Sequence, residues 1–217
     1  MTAKKKLSAP DKLISARFCL RLLVPLFISA GLLGFTQTAG KPQPVNTQDF
    51  LRTDGQGVVT VHDPVAPVSF ELPAGWLLTS GVRWGDHETT LALYDTGSHR
   101  SSSVYYQYPI QTAVPFDLDA ALVAGMERKV KQRQDRERFR DYRIRADSGQ
   151  TSVVDGRPAF SYVGEFTNAR GQAFSEYNMR VIGADTKIEF FAMLPVPEDP
   201  VSFAARIAPL IHSLRMP

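Results

Sequence analysis

Asp95-Thr96-Gly97-Ser98 is the segment whose residue types point most directly to chemistry, because it carries the Asp-Thr-Gly signature of aspartic peptidases. In such sites a carboxylate at a strand end shares one proton with a partner carboxylate, and the pair activates water. Leu91, Leu93 and Tyr94 supply apolar residues ahead of it, and Val181-Ile182-Gly183 is an apolar-apolar-Gly triplet suited to supporting such a loop. One signature is present, so this reading requires a homodimer with Asp95 contributed by each copy. The competing reading is a hairpin turn, since Asp, Gly and Ser close turns through local hydrogen bonds. His99-Arg100-Ser101-Ser102 lacks the apolar packing expected behind a buried catalytic carboxylate. The turn is preferred, with the peptidase as the alternative.

The remaining chemical candidates are thinner. Among His62, His87, His99 and His212, only His87 and His99 flank one hairpin and are expected to meet across it. Asp86-His87-Glu88 places three ligand types in a row, but adjacent strand residues face opposite ways. A structural metal asks for about four convergent ligands, so no metal and no cofactor are expected. No Gly-x-Ser-x-Gly elbow, phosphate loop or dinucleotide fingerprint occurs. Residues 127–145 hold nine Lys/Arg against four acids. Arg128, Lys129, Lys131, Arg133, Arg136, Arg138 and Arg140 are therefore a candidate patch for anionic lipid headgroups, polysaccharide or an acidic partner. The plainer alternative is a solvated helix face with intrahelical ion pairs. Tyr105, Tyr106, Tyr108 and Tyr162 are expected to pack in a sheet and not to form a binding platform.

Where this chemistry would operate is set by the leading residues. Lys4, Lys5, Lys6, Lys12, Arg17 and Arg21 precede a 14-residue apolar run, Leu22 to Phe35, followed by small and polar residues. That order marks a signal peptide; a bilayer-spanning helix needs roughly 20 apolar residues. The expectation is export to the periplasm or beyond, with an uncleaved anchor in the inner membrane through residues 18–35 as the alternative. The single cysteine, Cys19, lies ahead of the apolar run, so residues 40–217 have no disulfide framework and no thiolate metal site. The formal charge of +3 also belongs to the leader. Residues 1–39 hold six of the 25 basic and one of the 22 acidic residues, leaving 19 against 21, a net of −2. No nucleic-acid partner is expected from that balance.

The elements that must position these residues follow from periodicity. Residues 40–57, with Lys41-Pro42-Gln43-Pro44 and Asp54-Gly55-Gln56-Gly57, read as a flexible linker. Strands are predicted around Val58–Val61, Val68–Leu72, Leu77–Trp84, Thr89–Tyr94 and Ser103–Tyr108. Asp117 is the predicted cap of a helix whose apolar stripe is Leu118, Ala121, Leu122, Gly125, Met126 and Val130. Beyond Val130 the residues are charged all round, and the helix is expected to project or fray. Strands follow at Tyr142–Asp147, Pro158–Phe166, Ala173–Ile182 and Lys187–Leu194, the last apolar on both faces as in a central strand. Asp199-Pro200 opens a closing helix with Phe203, Ile207, Leu210, Ile211 and Leu214 on one stripe. The fold class is α+β: a twisted antiparallel sheet flanked by helices, as one domain over 58–217.

Three stretches of this chain are similar to the PsbP/Mog family, which includes photosystem extrinsic subunits and bacterial envelope proteins. They are Val68-Ser69-Phe70-Glu71-Leu72-Pro73-Ala74-Gly75-Trp76, Val154-Asp155-Gly156-Arg157-Pro158-Ala159, and the closing Ile211-His212-Ser213-Leu214-Arg215. The resemblance spans residues 58–216 and implies an α/β/α sandwich that works by binding partners, without a shared catalytic site. No ligand motif matches the metal associations of photosystem members, so none is carried over. The resulting expectation is a non-enzymatic domain that binds a protein partner in the cell envelope. The alternatives are the Asp95 peptidase and a lipid- or glycan-binding accessory domain using the basic helix.

Overall fold

The computed structural model describes residues 41–110, 118–136, 138–196 and 198–216. The leader, residues 1–39, and the predicted cap Asp117 lie outside the described residues.

The longer strands fall where alternation of apolar and polar residues placed them. β1 (Pro42–Pro44) is followed by a 3-10 turn at Thr47–Phe50, then β2 (Leu51–Thr53), β3 (Val59–His62) and β4 (Ser69–Glu71). β5 (Trp76–Trp84), β6 (Glu88–Asp95) and β7 (Arg100–Gln107) form a meander, and α1 (Leu118–Gln134) follows. The second half runs β8 (Arg140–Ile144), β9 (Gln150–Val154), β10 (Arg157–Thr167), β11 (Ala173–Ile182), β12 (Lys187–Pro195) and α2 (Pro200–His212). The main sheet has the order β1-β5-β6-β7-β12-β11-β10-β8, with β9 also on β10; β2-β3-β4 form a smaller sheet. Every pairing is antiparallel. The architecture is α+β, and β12 lies inside the sheet as its double-sided apolar sequence predicts.

α2 covers one face. Asp199 caps it by accepting from the amides of Val201 and Ser202, and Pro200 occupies the first turn, where its missing N–H costs nothing. Phe203, Ile207, Leu210 and Leu214 are buried in one core cluster with Leu91, Val104, Ile188, Ala192 and Leu194. The Phe203 ring meets Trp76 and Tyr177 at 6.4 and 6.0 Å between centroids.

The expected linker is not one. β1 pairs with β5, the Phe50 ring is buried in the main core, and Leu51 pairs with Val61. Burial of one phenyl ring and a few strand hydrogen bonds outweigh a local sequence rich in Pro, Gln and Gly. The expectation that α1 would fray past Val130 also fails, because the helix continues to Gln134 with Arg133 buried. β9 was not anticipated at all; four of its five residues are exposed and show no alternation.

Candidate functional site

The face opposite α2 carries a buried charged layer. Along β11 the residues Glu176, Asn178 and Arg180 alternate with Tyr177, Met179 and Val181. The second set enters the core under α2, which leaves the polar set facing α1. On α1 the facing residues are Gly125, Lys129 and Arg133. Four helical residues advance about 6 Å and two strand residues about 6.6 Å. Helix and strand therefore stay in step, and each rung pairs in turn.

At the first rung the Arg180 guanidinium lies against Gly125, where a Cβ would stand 1.4 Å from Nη1. Only glycine admits that approach. Arg180 is thereby held on Glu189 of β12, its registered neighbour. At the second rung Lys129 Nζ donates to Asn178 Oδ1 at 2.8 Å and to Glu189 Oε2 at 3.1 Å. At the third, Arg133 donates to both carboxylate oxygens of Glu176, Nη2 to Oε1 at 2.6 Å and Nε to Oε2 at 3.3 Å. Tyr142 of β8 completes it, donating to Glu176 Oε2 at 2.9 Å across Gly164, whose lack of a Cβ leaves room for the hydroxyl. Phe139, Tyr142 and Phe166 close this end as an aromatic cluster, and Arg133 stacks 4.5 Å from the Phe139 centroid.

Burial is nearly complete: Glu176 is 0 % exposed, Asn178 2 %, Glu189 3 % and Arg133 5 %. Burial alone would raise both carboxylates. Arg133 and Lys129 overcome that for Glu176, as do Lys129, Arg180 and Lys187 for Glu189, and both sit below the usual carboxylate range. Burial pulls Lys129 down, with Glu189 and Glu176 opposing the fall. Desolvation, reinforced by Glu176, pushes the Tyr142 and Tyr162 hydroxyls well above their ordinary value, so both remain protonated donors. Both carboxylates are ionised, and each is paired with more than one cation of the layer.

Asp95 sits at the end of β6, 5 % exposed. Its carboxylate accepts from Gly97 N at 2.9 Å and Ser98 Oγ at 2.5 Å, and Arg206 Nε lies 3.4 Å away. Burial raises its pKa, but the Ser98 hydroxyl, the Gly97 and Ser98 amides and Arg206 together hold it below the usual range. Those are the bonds of a turn-closing, ion-paired carboxylate. The triplet Val181-Ile182-Gly183 is not brought to it. Ile182 registers with Lys187, Lys187 with Gln107, and Gln107 with Glu88, at the far end of β6 from Asp95. His87 and His99 likewise flank opposite ends of β6 and do not meet, because the strand between them is a full-length partner of β7. His99 Nδ1 instead bonds the Tyr94 hydroxyl at 2.9 Å.

The basic patch divides. Lys129 and Arg133 point into the sheet, a correction with a direct cause: the buried acids of β11 and β12 draw them inward. Arg128 and Arg140 are exposed, and Lys131 is exposed beside Asp135. Arg136 and Arg138 are half-buried, and burial together with neighbouring guanidinium charge lowers both. Tyr105, Tyr106 and Tyr162 are buried in the sheet as anticipated.

No protein-family model matches the chain, and no curated protein matches it in sequence. Solved structures with a similar backbone include a protein from Bacteroides thetaiotaomicron (12% identity, 73% of this chain, 48% of that one, TM-score 0.44). They include PA94 of Pseudomonas aeruginosa, a protein of unknown function (11%, 74% and 98%, 0.43). The PsbP protein of the cyanobacterium Synechocystis, CyanoP, is a third (13%, 85% and 99%, 0.42). The chain spans about half the length of the Bacteroides protein. At such TM-scores these likenesses bear on neither activity, ligand nor location.

Sequence reasoning also missed a further buried carboxylate, Asp63, 2 % exposed. It accepts from the Val65 and Ala66 amides at 2.7 and 3.0 Å, from the Tyr106 hydroxyl and from Arg83. Nothing near Asp63 in sequence announces this, since Arg83 and Tyr106 arrive from β5 and β7.

Proposed function

We propose that this protein is a non-enzymatic extracytoplasmic domain that acts by protein binding in the cell envelope, and that it takes an extended segment of its partner onto β9. The observation that carries the reading is the open edge of that strand. The Asp155-Gly156 turn has both residues at positive φ, 49° and 70°, which makes Val154 and Arg157 its closing hydrogen-bonded pair. In an antiparallel ladder hydrogen-bonded pairs alternate, so Val153 and Thr151 turn their N–H and C=O groups outward. Edges of this kind are ordinarily blocked by charge or proline. Gln150-Thr151-Ser152-Val153-Val154 has neither, and Val153 is 73 % exposed. The opposite edge strand, β1, carries Pro42 and Pro44. Strand addition uses such an edge for affinity and alternate side chains for specificity.

Two further features support the reading. The buried carboxylates of Glu176, Glu189, Asp63 and Asp95 are each engaged by cations, a pattern suited to holding a scaffold. The basic-then-apolar leader supports an extracytoplasmic site of action.

The test is affinity capture of the tagged full-length chain from crosslinked native envelopes, compared among wild type, Val153→Pro and Arg128→Glu. Val153→Pro removes an outward N–H and leaves the β9–β10 ladder intact. Loss of the captured partner in Val153→Pro alone supports the proposal; an unchanged partner set in that variant refutes it.

A further inference from the structure

The outward bonding groups of β9 are spaced to suit a second copy of the same strand. Val154, Ser152 and Gln150 exchange their hydrogen bonds with Arg157, Ala159 and Ser161 of β10. Pro158, opposite Val153, has no N–H, which suits a pair that exchanges no bonds between these two strands. Thr151 and Val153 are left with their N–H and C=O groups turned away from β10.

An antiparallel partner must set its own outward residues against these. For the same strand, three registers do so: Thr151 on itself, Val153 on itself, or Thr151 on Val153. Pairing either residue with itself runs the strand against Gly149 or the Asp155-Gly156 turn of the other copy. Thr151 on Val153 overlaps all five residues and makes two hydrogen-bonded pairs about a two-fold axis through Ser152.

Side-chain chemistry favours the same arrangement. Gln150–Val154 carries no charge, so no like charges meet across the axis, and β-branched Thr151 and Val153 become cross-strand neighbours. Gln150, Thr151, Ser152 and Val153 are all exposed. Other sheet edges among the described residues resist such pairing. β1 carries Pro42 and Pro44, β2 would set Arg52 against its own copy, and β8 carries Arg140, Asp141 and Arg143. A two-fold contact closes on itself, so it caps both edges without growing into a fibre. A five-residue edge covers less than the roughly 1,000 Å² of a stable interface, which makes the association weak and reversible.

We propose that β9 pairs with β9 of a second copy, Thr151 opposite Val153, and that this reversible homodimer caps the edge until a partner's extended segment displaces one copy. This rests on the same open edge as the proposed function and adds its regulation.

Disulfide trapping tests the register. Cys19→Ser removes the chain's own cysteine, and Thr151→Cys, Ser152→Cys and Val153→Cys are compared in that background. Cells producing the tagged full-length chain are oxidised with copper phenanthroline, and dimers are read on nonreducing gels. Across the axis the two Ser152 Cα atoms would stand about 4.5 Å apart, inside the disulfide range of roughly 4.4–6.8 Å. Thr151 and Val153 would each lie about 7–8 Å from their own copies, beyond that range. Ser152→Cys should therefore give about tenfold more dimer than either neighbour, and adding Val153→Pro should remove it. Equal trapping at the three positions, no trapping, or a Ser152→Cys link to a different protein would each overturn the proposal. A trapped dimer whose captured partners do not change in Val153→Pro would refute the partner reading and leave the homodimer standing. Partner loss in Val153→Pro without a trapped dimer would do the reverse.

Discussion

Replacing Gly125 by alanine tests whether α1 rests on the sheet through charge. In an exposed helix interior the change stabilises by about 1 kcal/mol, because glycine loses more backbone entropy on folding. Here the new methyl would stand 1.4 Å from Arg180 Nη1 and 2.6 Å from Cζ, so the guanidinium must leave. Arg180 and Glu189 side chains are 14% and 4% exposed. Breaking a buried pair by displacing one partner costs about 3–5 kcal/mol. Lys129 still holds the other oxygen of Glu189, which places the cost near the lower end. The difference leaves Gly125→Ala destabilised by about 2 kcal/mol, a fall in thermal midpoint of about 4–8 °C for a domain of this size. In an Arg180→Ala background the obstruction is gone, and the same substitution should stabilise by about 1 kcal/mol. The sign therefore reverses, and the coupling in a double-mutant cycle is about 3 kcal/mol. Urea unfolding followed by circular dichroism on the four proteins reads all of these quantities. If Gly125→Ala raises the midpoint of the wild-type chain, the close approach of helix and sheet is wrong.

The other expectations concern the same layer and the elements around it. Glu176→Gln leaves Arg133 without its charge partner and should cost about 3 kcal/mol in chemical denaturation, whereas Lys131→Ala, on an exposed i,i+4 pair, should change stability by less than about 0.5 kcal/mol. Glu176 and Glu189 titrate lower in the folded chain than their unfolded value of 4.5, so the stability they contribute is complete above that pH and is lost as acid protonates them. Unfolding free energy should thus be level from neutral pH down to about 5 and fall steeply below; a Glu176→Gln curve as steep as wild type would contradict the assignment. Asp199→Ala removes the cap of α2 and should lower the thermal midpoint, while Asp199→Asn, which keeps an accepting oxygen, should leave it nearly unchanged.

The parts of this fold legible in sequence are those where burial imposes a period. β10, β11 and β12 alternate or run apolar over nine residues or more, and α2 has a cap, a first-turn proline and one apolar stripe. β1, β2 and β9 are short and mostly exposed, so their own side chains hold little information; β1 exists because Trp84, Arg83 and Val82 lie beside it. Asp95-Thr96-Gly97-Ser98 illustrates the opposite hazard. The carboxylate that would activate water in a peptidase is also the group that closes an Asx turn, and the local residues cannot separate the two uses; the bonds from Gly97, Ser98 and Arg206 belong to the second.

α1 was misjudged for a different physical reason. Its inward line is Gly125, Lys129 and Arg133, and an apolar-stripe criterion assigns the two cations to solvent. The information sat on the partner strand instead. Glu176, Asn178 and Arg180 alternate with Tyr177, Met179 and Val181, and Lys187 and Glu189 share their face on β12. A long inner strand whose one face is apolar and whose other face is charged must meet a complementary charged element, because isolated buried ions are too costly to leave unpaired. Among the described residues one helix is rich in Lys and Arg at four-residue spacing, and four helical residues match two strand residues in length. Helix and strand patterns compared with each other, and not each against an apolar standard, would have placed Lys129 and Arg133 indoors.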